Sequence, residues 1–291
     1  MKRARISGLP FFVILLSSFA SGATWNVHAQ PVKLVNGAPV LFQARPPARL
    51  KSLKGTWQGH EIVFSFDSAS KTWFALAGVS LETAPGSYTL ELSGEAVDGK
   101  EMSFARKFGV GAGKYPKIQA KLNVEGKFTE PNPAQQKEIE ESSQVKKEYL
   151  GRVTPEREWS GSFMAPADAE ISDVFGIQRV FNGKALSTHL GLDFRVSTGT
   201  PVSAMNDGTV LLARPLYYEG NFVVLDHGQG LFTMYLHLSE FKVKEGEQVK
   251  RGQVIGLSGG TGRATGPHLD VRVRWQGTYL DPAALMRMKL P

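Results

Sequence analysis

Phe222-Val223-Val224-Leu225-Asp226-His227-Gly228-Gln229-Gly230-Leu231-Phe232-Thr233-Met234-Tyr235 decides the fold of the C-terminal half. Two short apolar runs, rich in β-branched and aromatic residues, flank a glycine-bearing break. Runs this short, bounded by turn formers, read as strands and not as buried helices. Val202, Val210-Leu211-Leu212 and Val271-Arg272-Val273 repeat the pattern, and no long amphipathic helix interrupts it. Residues 161–291 therefore read as a compact antiparallel sheet domain with loops at its rims.

Working outward, residues 30–113 alternate with period two. Ile62, Phe64 and Phe66 share one face of a strand, and Tyr88, Leu90 and Leu92 share a face of another. Turn signals fall at Asn36-Gly37, Pro85-Gly86 and Asp98-Gly99, the last of which should close a hairpin. Short strands at this spacing predict a β-sandwich of immunoglobulin-like type. His60 stands alone beside Glu61 and reads as a surface residue. Residues 114–160 read as a connector, with Asn132 capping a helix that starts at Pro133 and runs through a charged stretch to about Tyr149. The whole chain is expected to be mostly β.

The 31 glycines and 16 prolines fit a turn-rich protein, and 291 residues suffice for two domains. Residues 1–29 read as a signal peptide. Lys2, Arg3 and Arg5 precede the apolar run Leu9 to Phe19, and Val27-His28-Ala29 offers a cleavage site after Ala29. The apolar run is short for a bilayer span, so no stable membrane span is expected after cleavage. The chain has no cysteine, which excludes disulfides, thiolate metal sites, thiol nucleophiles and a lipidated cysteine. This suits a bacterial periplasmic or secreted protein. The net charge of +7, three of it from the signal, could favour anionic cell-wall polymer. No basic cluster is interleaved with aromatics, so nucleic acid is not an expected partner.

The chemistry concentrates in two motifs about eighty residues apart. Thr188-His189-Leu190-Gly191-Leu192-Asp193 is an H-x-x-x-D, and Gly266-Pro267-His268-Leu269-Asp270 is an H-x-D. His237 lies between them in Tyr235-Leu236-His237-Leu238. Residues two or four apart on a strand point the same way, so each pair can face one cation. Gly191 argues against a helix at the first motif. Each motif alone is weak; their order within one glycine-rich domain carries the weight.

That ordered set resembles the M23 metallopeptidases, the LytM or lysostaphin type. The matching stretches are His189 to Asp193, Gly199-Thr200-Pro201-Val202 through Asp207-Gly208-Thr209-Val210, Tyr235 to Leu238, Val249 to Gly256, Thr261 to Leu269, and Asp281-Pro282. The likeness covers about 160–285. It implies that His189 and Asp193 bind zinc and that His237 and His268 are catalytic, acting on water and the developing oxyanion. It also implies a peptidase-type domain whose substrate is peptidoglycan. The departure is Asp270, which stands where the family has a histidine, followed by Val271-Arg272 in place of an aromatic–acidic pair; a short deletion would give the same result.

Two readings follow. In one, Asp270 is the third ligand, since zinc accepts carboxylate oxygen at about 2.0–2.2 Å. Two carboxylates would then roughly neutralise a divalent ion, weaken it as a Lewis acid and loosen the preference for zinc over another divalent ion such as manganese. In the other, the metal is lost and the domain binds peptidoglycan or activates a cell-wall amidase. The N-terminal sandwich would position the enzyme or cover its groove. Arg179 could orient a substrate carboxylate or pair with an acid. His227 reads as structural, and the five glycines from Gly256 to Gly266 as a flexible rim loop. Residues 243–253 also resemble the hairpin of biotinyl and lipoyl carriers but lack the lysine turn.

Overall fold

The computed structural model describes residues 24–116 and 119–291. The predicted signal peptide lies largely outside them.

Alternating apolar positions build two facing sheets in the N-terminal half. One has four strands, Asn26–Gln30, Pro39–Arg45, Thr72–Gly78 and Ser65–Asp67; the other has five, including Leu50–Trp57, Gly86–Ala96 and Glu101–Gly111. Between them Phe42 packs edge-on against Trp57 at 5.0 Å, and Trp57 donates its indole N–H to the Gly78 carbonyl at 2.9 Å. Leu90 and Leu92 are buried on one face as expected, with Tyr88 packed alongside. The Asp98-Gly99 turn closes the expected hairpin, with Gly99 at φ 86° and the Asp98 carboxylate accepting from the Lys100 amide. The expected shared face of Ile62, Phe64 and Phe66 breaks at the third residue. The chain leaves one sheet after Val63 and enters the other at Ser65, so Phe66 turns out to solvent against Trp73. His60 is not a free surface residue either; its ring packs against Trp275 at 5.1 Å.

The connector helix spans Pro133–Leu150. Asn132 caps it, its side chain accepting from the Gln135 amide at 3.0 Å while the Gln135 side chain accepts from the Asn132 amide at 2.9 Å. Leu150, Val145 and Tyr149 bury one helical edge on Leu216, Phe222, Val224, Phe232 and Met234. Burying a leucine such as Leu150 stabilises by roughly 1.5–3 kcal/mol.

The C-terminal half is built on an antiparallel sheet. Its strands run in the order Ile171–Asp173, Leu192–Phe194, Leu269–Trp275, Leu231–Leu238, Gly220–Asp226, Gly208–Leu216 and Gln248–Val249, with Thr278–Leu280 paired to Leu269–Trp275. The opposite face of this sheet joins Val223, Leu225, Tyr235, Val271 and Val273 to a core continuous with that of the N-terminal sandwich. Smaller three-stranded sheets flank it, one of Pro201–Ser203, Val254–Leu257 and Glu240–Phe241, and one of Gln119–Leu122, Gln178–Phe181 and Ala185–Thr188. Among the described residues no helix is long and apolar enough to cross a membrane.

His227 is fully buried, and all its hydrogen-bonding capacity is used. Nδ1 lies 2.6 Å from the Asp207 carbonyl, so it carries the proton, and Nε2 accepts from the Thr233 hydroxyl at 2.7 Å. Thr233 in turn meets the Tyr235 hydroxyl at 3.0 Å, which accepts from the Met205 amide at 2.9 Å. Burial pulls the His227 pKa down to about 4.

Two outcomes are expected. Cleavage after Ala29 would remove Val27, which is fully buried, and most of the ladder with Pro39–Arg45; it would also remove Trp25, stacked on Phe104 at 5.5 Å. Processing should therefore fall after Ala23, within Ser21-Gly22-Ala23. Intact-mass measurement of the exported chain should give a start at Thr24, and a start at Gln30 would refute this. For His227, the unfolded chain (pKa about 6.5) binds the proton before the folded one does. Its stabilising contribution is complete above about pH 6.5 and is lost as pH falls towards 4, by on the order of 3 kcal/mol. Urea unfolding between pH 7 and 4 should show this slope, and His227→Gln should remove its share while leaving that of His237, whose pKa burial also lowers to about 4.

Candidate metal centre and catalytic histidines

Strand register puts three aspartates in one row. Asp173 stands directly opposite Asp193, and Asp193 directly opposite Asp270, across three neighbouring strands. Like charges in opposed positions repel. Two arginines answer them. Arg179 donates to Asp173 Oδ2 through Nε at 3.0 Å and a terminal nitrogen at 2.6 Å, and the same terminal nitrogen bonds Asp193 Oδ2. Arg272 grips Asp270 Oδ2 through Nε at 3.1 Å and a terminal nitrogen at 2.7 Å. Arg179 thus pairs with acids of the site itself.

Asp270 has no exposed surface. Burial alone would raise its pKa, but the Arg272 and His189 charges outweigh burial and hold the carboxyl well below the usual range. The reciprocal field of Asp270 holds Arg272 above its ordinary value against burial. Burial and the Asp270 charge likewise push Asp193 up, yet His189 and Arg179 keep it lowered.

His189 reaches this row from the loop before Leu192–Phe194. Its amide donates to the Ile177 carbonyl at 2.7 Å, and its carbonyl accepts from the Gly176 amide at 2.8 Å. The imidazole is buried, and neither ring nitrogen has a hydrogen-bond partner. Nε2 lies 3.2 Å from Asp193 Oδ1, an oxygen that is also buried and unsatisfied; the approach lacks hydrogen-bond alignment. Two donors held about 2.05 Å from one tetrahedral ion would stand about 3.3 Å apart. Orphaned buried polar atoms at that spacing fit a cation. Gly191 is required here, because a Cβ on it would come within 2.1 Å of Asp270 Oδ1.

Of the expected ligands, the structure brings His189 and Asp193 together. A tight group with donor atoms within 4.8 Å of one another comprises Asp173, His189 and Asp193, and Asp270 falls outside it. Asp270 Oδ2 is engaged by Arg272, while Oδ1 meets Arg272 Nε only at 3.4 Å. Asp173 was not singled out in the sequence; its signal is an acid six residues ahead of Arg179, both on strands beside the first motif.

The expected catalytic histidines meet at the same place, with ring centroids 4.8 Å apart. A bulge sets His237. Asn221 pairs with Leu238 and Val223 with Tyr235, so Leu236 and His237 together face Phe222. His237 takes φ 64°, a left-handed conformation costly for a side chain of this size. Its Nδ1 lies 2.7 Å from the Thr261 carbonyl, and His268 Nδ1 lies 2.8 Å from the Gly266 carbonyl. A carbonyl only accepts, so each Nδ1 carries a proton, and the neutral His237 ring keeps its lone pair on Nε2. His268 Nε2 lies 4.0 Å from Asp193 Oδ2. Burial lowers the His237 pKa to about 4, against the opposing Asp270 charge.

Two cavities adjoin these groups. One, of about 330 Å³, is lined by His189, His237, Asp270, Arg272, Tyr218 and Lys146; the other, of about 400 Å³, by Asp173, Asp193, His268, Leu122 and Ala120. The N-terminal sandwich was expected to position the enzyme or to cover its groove. Among the described residues, the connector contributes to the walls of these cavities through Ala120, Leu122 and Lys146, whose ammonium pairs with Glu219 at 2.5 Å.

The model of peptidase family M23 matches residues 187–282. Peptidoglycan DD-endopeptidase ShyA of Vibrio cholerae is 46% identical over 108 residues, 37% of this chain and 24% of the relative. DD-carboxypeptidase/endopeptidase Mpg of Neisseria meningitidis is 41% identical over 97 residues, 33% of this chain and 22% of the relative. These matches span about a quarter of the relatives' length. A Pseudomonas aeruginosa crystal structure assigned to peptidase M23 is 29% identical and superposes with a TM-score of 0.66, covering 87% of this chain and 95% of that one. The motifs, their convergence in space and these likenesses agree: the C-terminal part of the chain is a peptidase family M23 domain.

Proposed function

We propose that this protein is a metal-dependent peptidase of the bacterial cell wall, exported to the periplasm or beyond, that cuts the peptides of peptidoglycan. The observation that carries this reading is the pair of orphaned donors, the His189 imidazole and Asp193 Oδ1, buried 3.2 Å apart beside two histidines with bare Nε2 atoms. The relatives' names supply the substrate class.

His189 and Asp193 would hold the ion, and zinc suits an imidazole–carboxylate set. Asp270 is the third donor in this reading. Both Asp173 oxygens already accept hydrogen bonds, one from the Val174 amide at 3.0 Å and one from Arg179, whereas Asp270 Oδ1 is nearly free. When bound, the ion would polarise the scissile carbonyl and acidify water. The remaining work falls to the chain. His237 is neutral at pH 7, so its Nε2 can take a proton from the attacking water. Once protonated, with burial disfavouring its charge, it is suited to returning that proton to the leaving amine. His268 Nε2 sits across from it and can bear a proton against the developing oxyanion. Arg179 holds Asp193 in place through its other oxygen, fixing the direction in which Oδ1 points.

The Asp270–Arg272 pair supports a second reading, a silent module that binds peptidoglycan or activates an amidase. A guanidinium in bidentate contact competes with a metal for the same carboxylate.

Metal analysis of the gently purified protein separates them. The peptidase should carry about one zinc per chain, melt at higher temperature with zinc, and release muropeptides in a chelator-sensitive way. His189→Ala and Asp193→Ala should lose the ion, and Asp270→Asn should weaken it more than Asp173→Asn does. His237→Ala should keep the ion yet lose about 10²–10⁴-fold in rate. A metal-free, inactive parent whose Asp270→His variant gains both zinc and cleavage would establish the silent module.

A further inference from the structure

Besides the exposed Arg195 at the rim, three arginines line the site, and two of these have fixed partners: Arg179 on Asp173 and Asp193, and Arg272 on Asp270. The third, Arg263, has none. It lies in the glycine-rich loop before His268, where its amide donates to the Tyr218 carbonyl at 2.9 Å. Its guanidinium lies over two aromatic rings, 4.4 Å from the Phe181 ring centre and 4.6 Å from that of Tyr218. Among the described residues its side chain makes no hydrogen bond and no ion pair. The acid charge that acts on it is Glu219, which makes no ion pair with it and gives Oε1 to Lys146.

Position adds to this. Arg263 borders both cavities beside the histidines, the one that holds His237 and the one that holds His268. A largely buried guanidinium has shed much of its water, as the burial-lowered pKa records, and gained no hydrogen-bond acceptor in return. Contact with two rings restrains the guanidinium, so a ligand need order it less. Five N–H donors held flat beside the reacting groups suit a planar carboxylate.

We infer that Arg263 is the anchor for a free carboxylate on the peptide substrate, and so makes the enzyme selective for peptides bearing one close to the bond it cuts. The inference rests on the peptidase reading above. As a purely structural aromatic clasp, Arg263 would support the loop equally for every substrate.

Stem-peptide dimers decide between these, one with all carboxyls free, one amidated beside the scissile bond, and one amidated at the C-terminus. The wild-type protein should prefer the free acid over one of the two amides by about 10- to 100-fold in kcat/KM, mostly through KM, and the amide that suffers identifies the carboxylate. Arg263→Gln should bring that ratio to about one, and Arg263→Lys should keep part of it. Equal cleavage of all three by the wild type overturns the inference, as does an Arg263→Gln variant that slows all three by the same factor. The wild-type comparison decides even if the variants fold poorly. Should the wild type cut none of them, the peptidase reading fails alone, and equilibrium binding of the same peptides takes over. A preference for the acid that Arg263→Gln abolishes sustains the anchor, and equal binding overturns it.

Discussion

Three carboxylates set in register across neighbouring strands are the constraint around which the C-terminal half is arranged. Asp173, Asp193 and Asp270 cannot separate without breaking the pairing of Ile171–Asp173, Leu192–Phe194 and Leu269–Trp275. A one-residue slip would turn every side chain of a strand to the other face, so register and charge are locked together. Arg179 and Arg272 supply two positive charges against three negative ones. The deficit falls at Asp193 Oδ1, where the unsatisfied His189 nitrogen also points. Fold and electrostatics thus leave, within the aspartate row, a place where a cation is wanted.

The strands of the C-terminal sheet were legible because short apolar runs bounded by glycine have few other readings; Phe222 to Leu225 and Phe232 to Tyr235 both lie in the strands they suggested. The helix start was legible for a local reason, the Asn132–Pro133 cap. Phe66 was misread because period two continues through a point where the chain changes sheets, and periodicity does not record which sheet a strand joins. The convergence of His189, Asp193, His237 and His268 could be read from motif order. The arginines could not. Arg179 meets Asp173 and Asp193 through the pairing of neighbouring strands, which spacing does not record, and Arg272 grips Asp270 two residues away where both side chains line the same cleft.

The connector has a larger part than a linker would. Its helix buries Leu150 on one face of the central sheet, and Lys146 reaches from that helix to Glu219. Glu219 in turn offers its backbone carbonyl to the His237 amide at 2.9 Å. The left-handed turn at His237 is therefore braced from outside the sheet, which is how a strained conformation persists.

Both catalytic-type histidines are oriented by backbone carbonyls, at Thr261 and Gly266, and not by carboxylates. A carboxylate partner would raise imidazole basicity and favour the charged ring; a carbonyl fixes the tautomer with much less effect on charge. Combined with burial, this keeps His237 neutral far below pH 7. The negative charge of the site is thereby confined to the aspartate row, and burial outweighs the pull of Asp270 on the His237 ring. Spending carboxylates on the histidines would have added to a row already short of cations. The same loop that supplies Thr261 and Gly266 also carries Arg263, so the orientation of the histidines and the placement of the third guanidinium depend on one glycine-rich turn, held at Gly262 against the Gly220 backbone, where a Cβ would come within 2.3 Å.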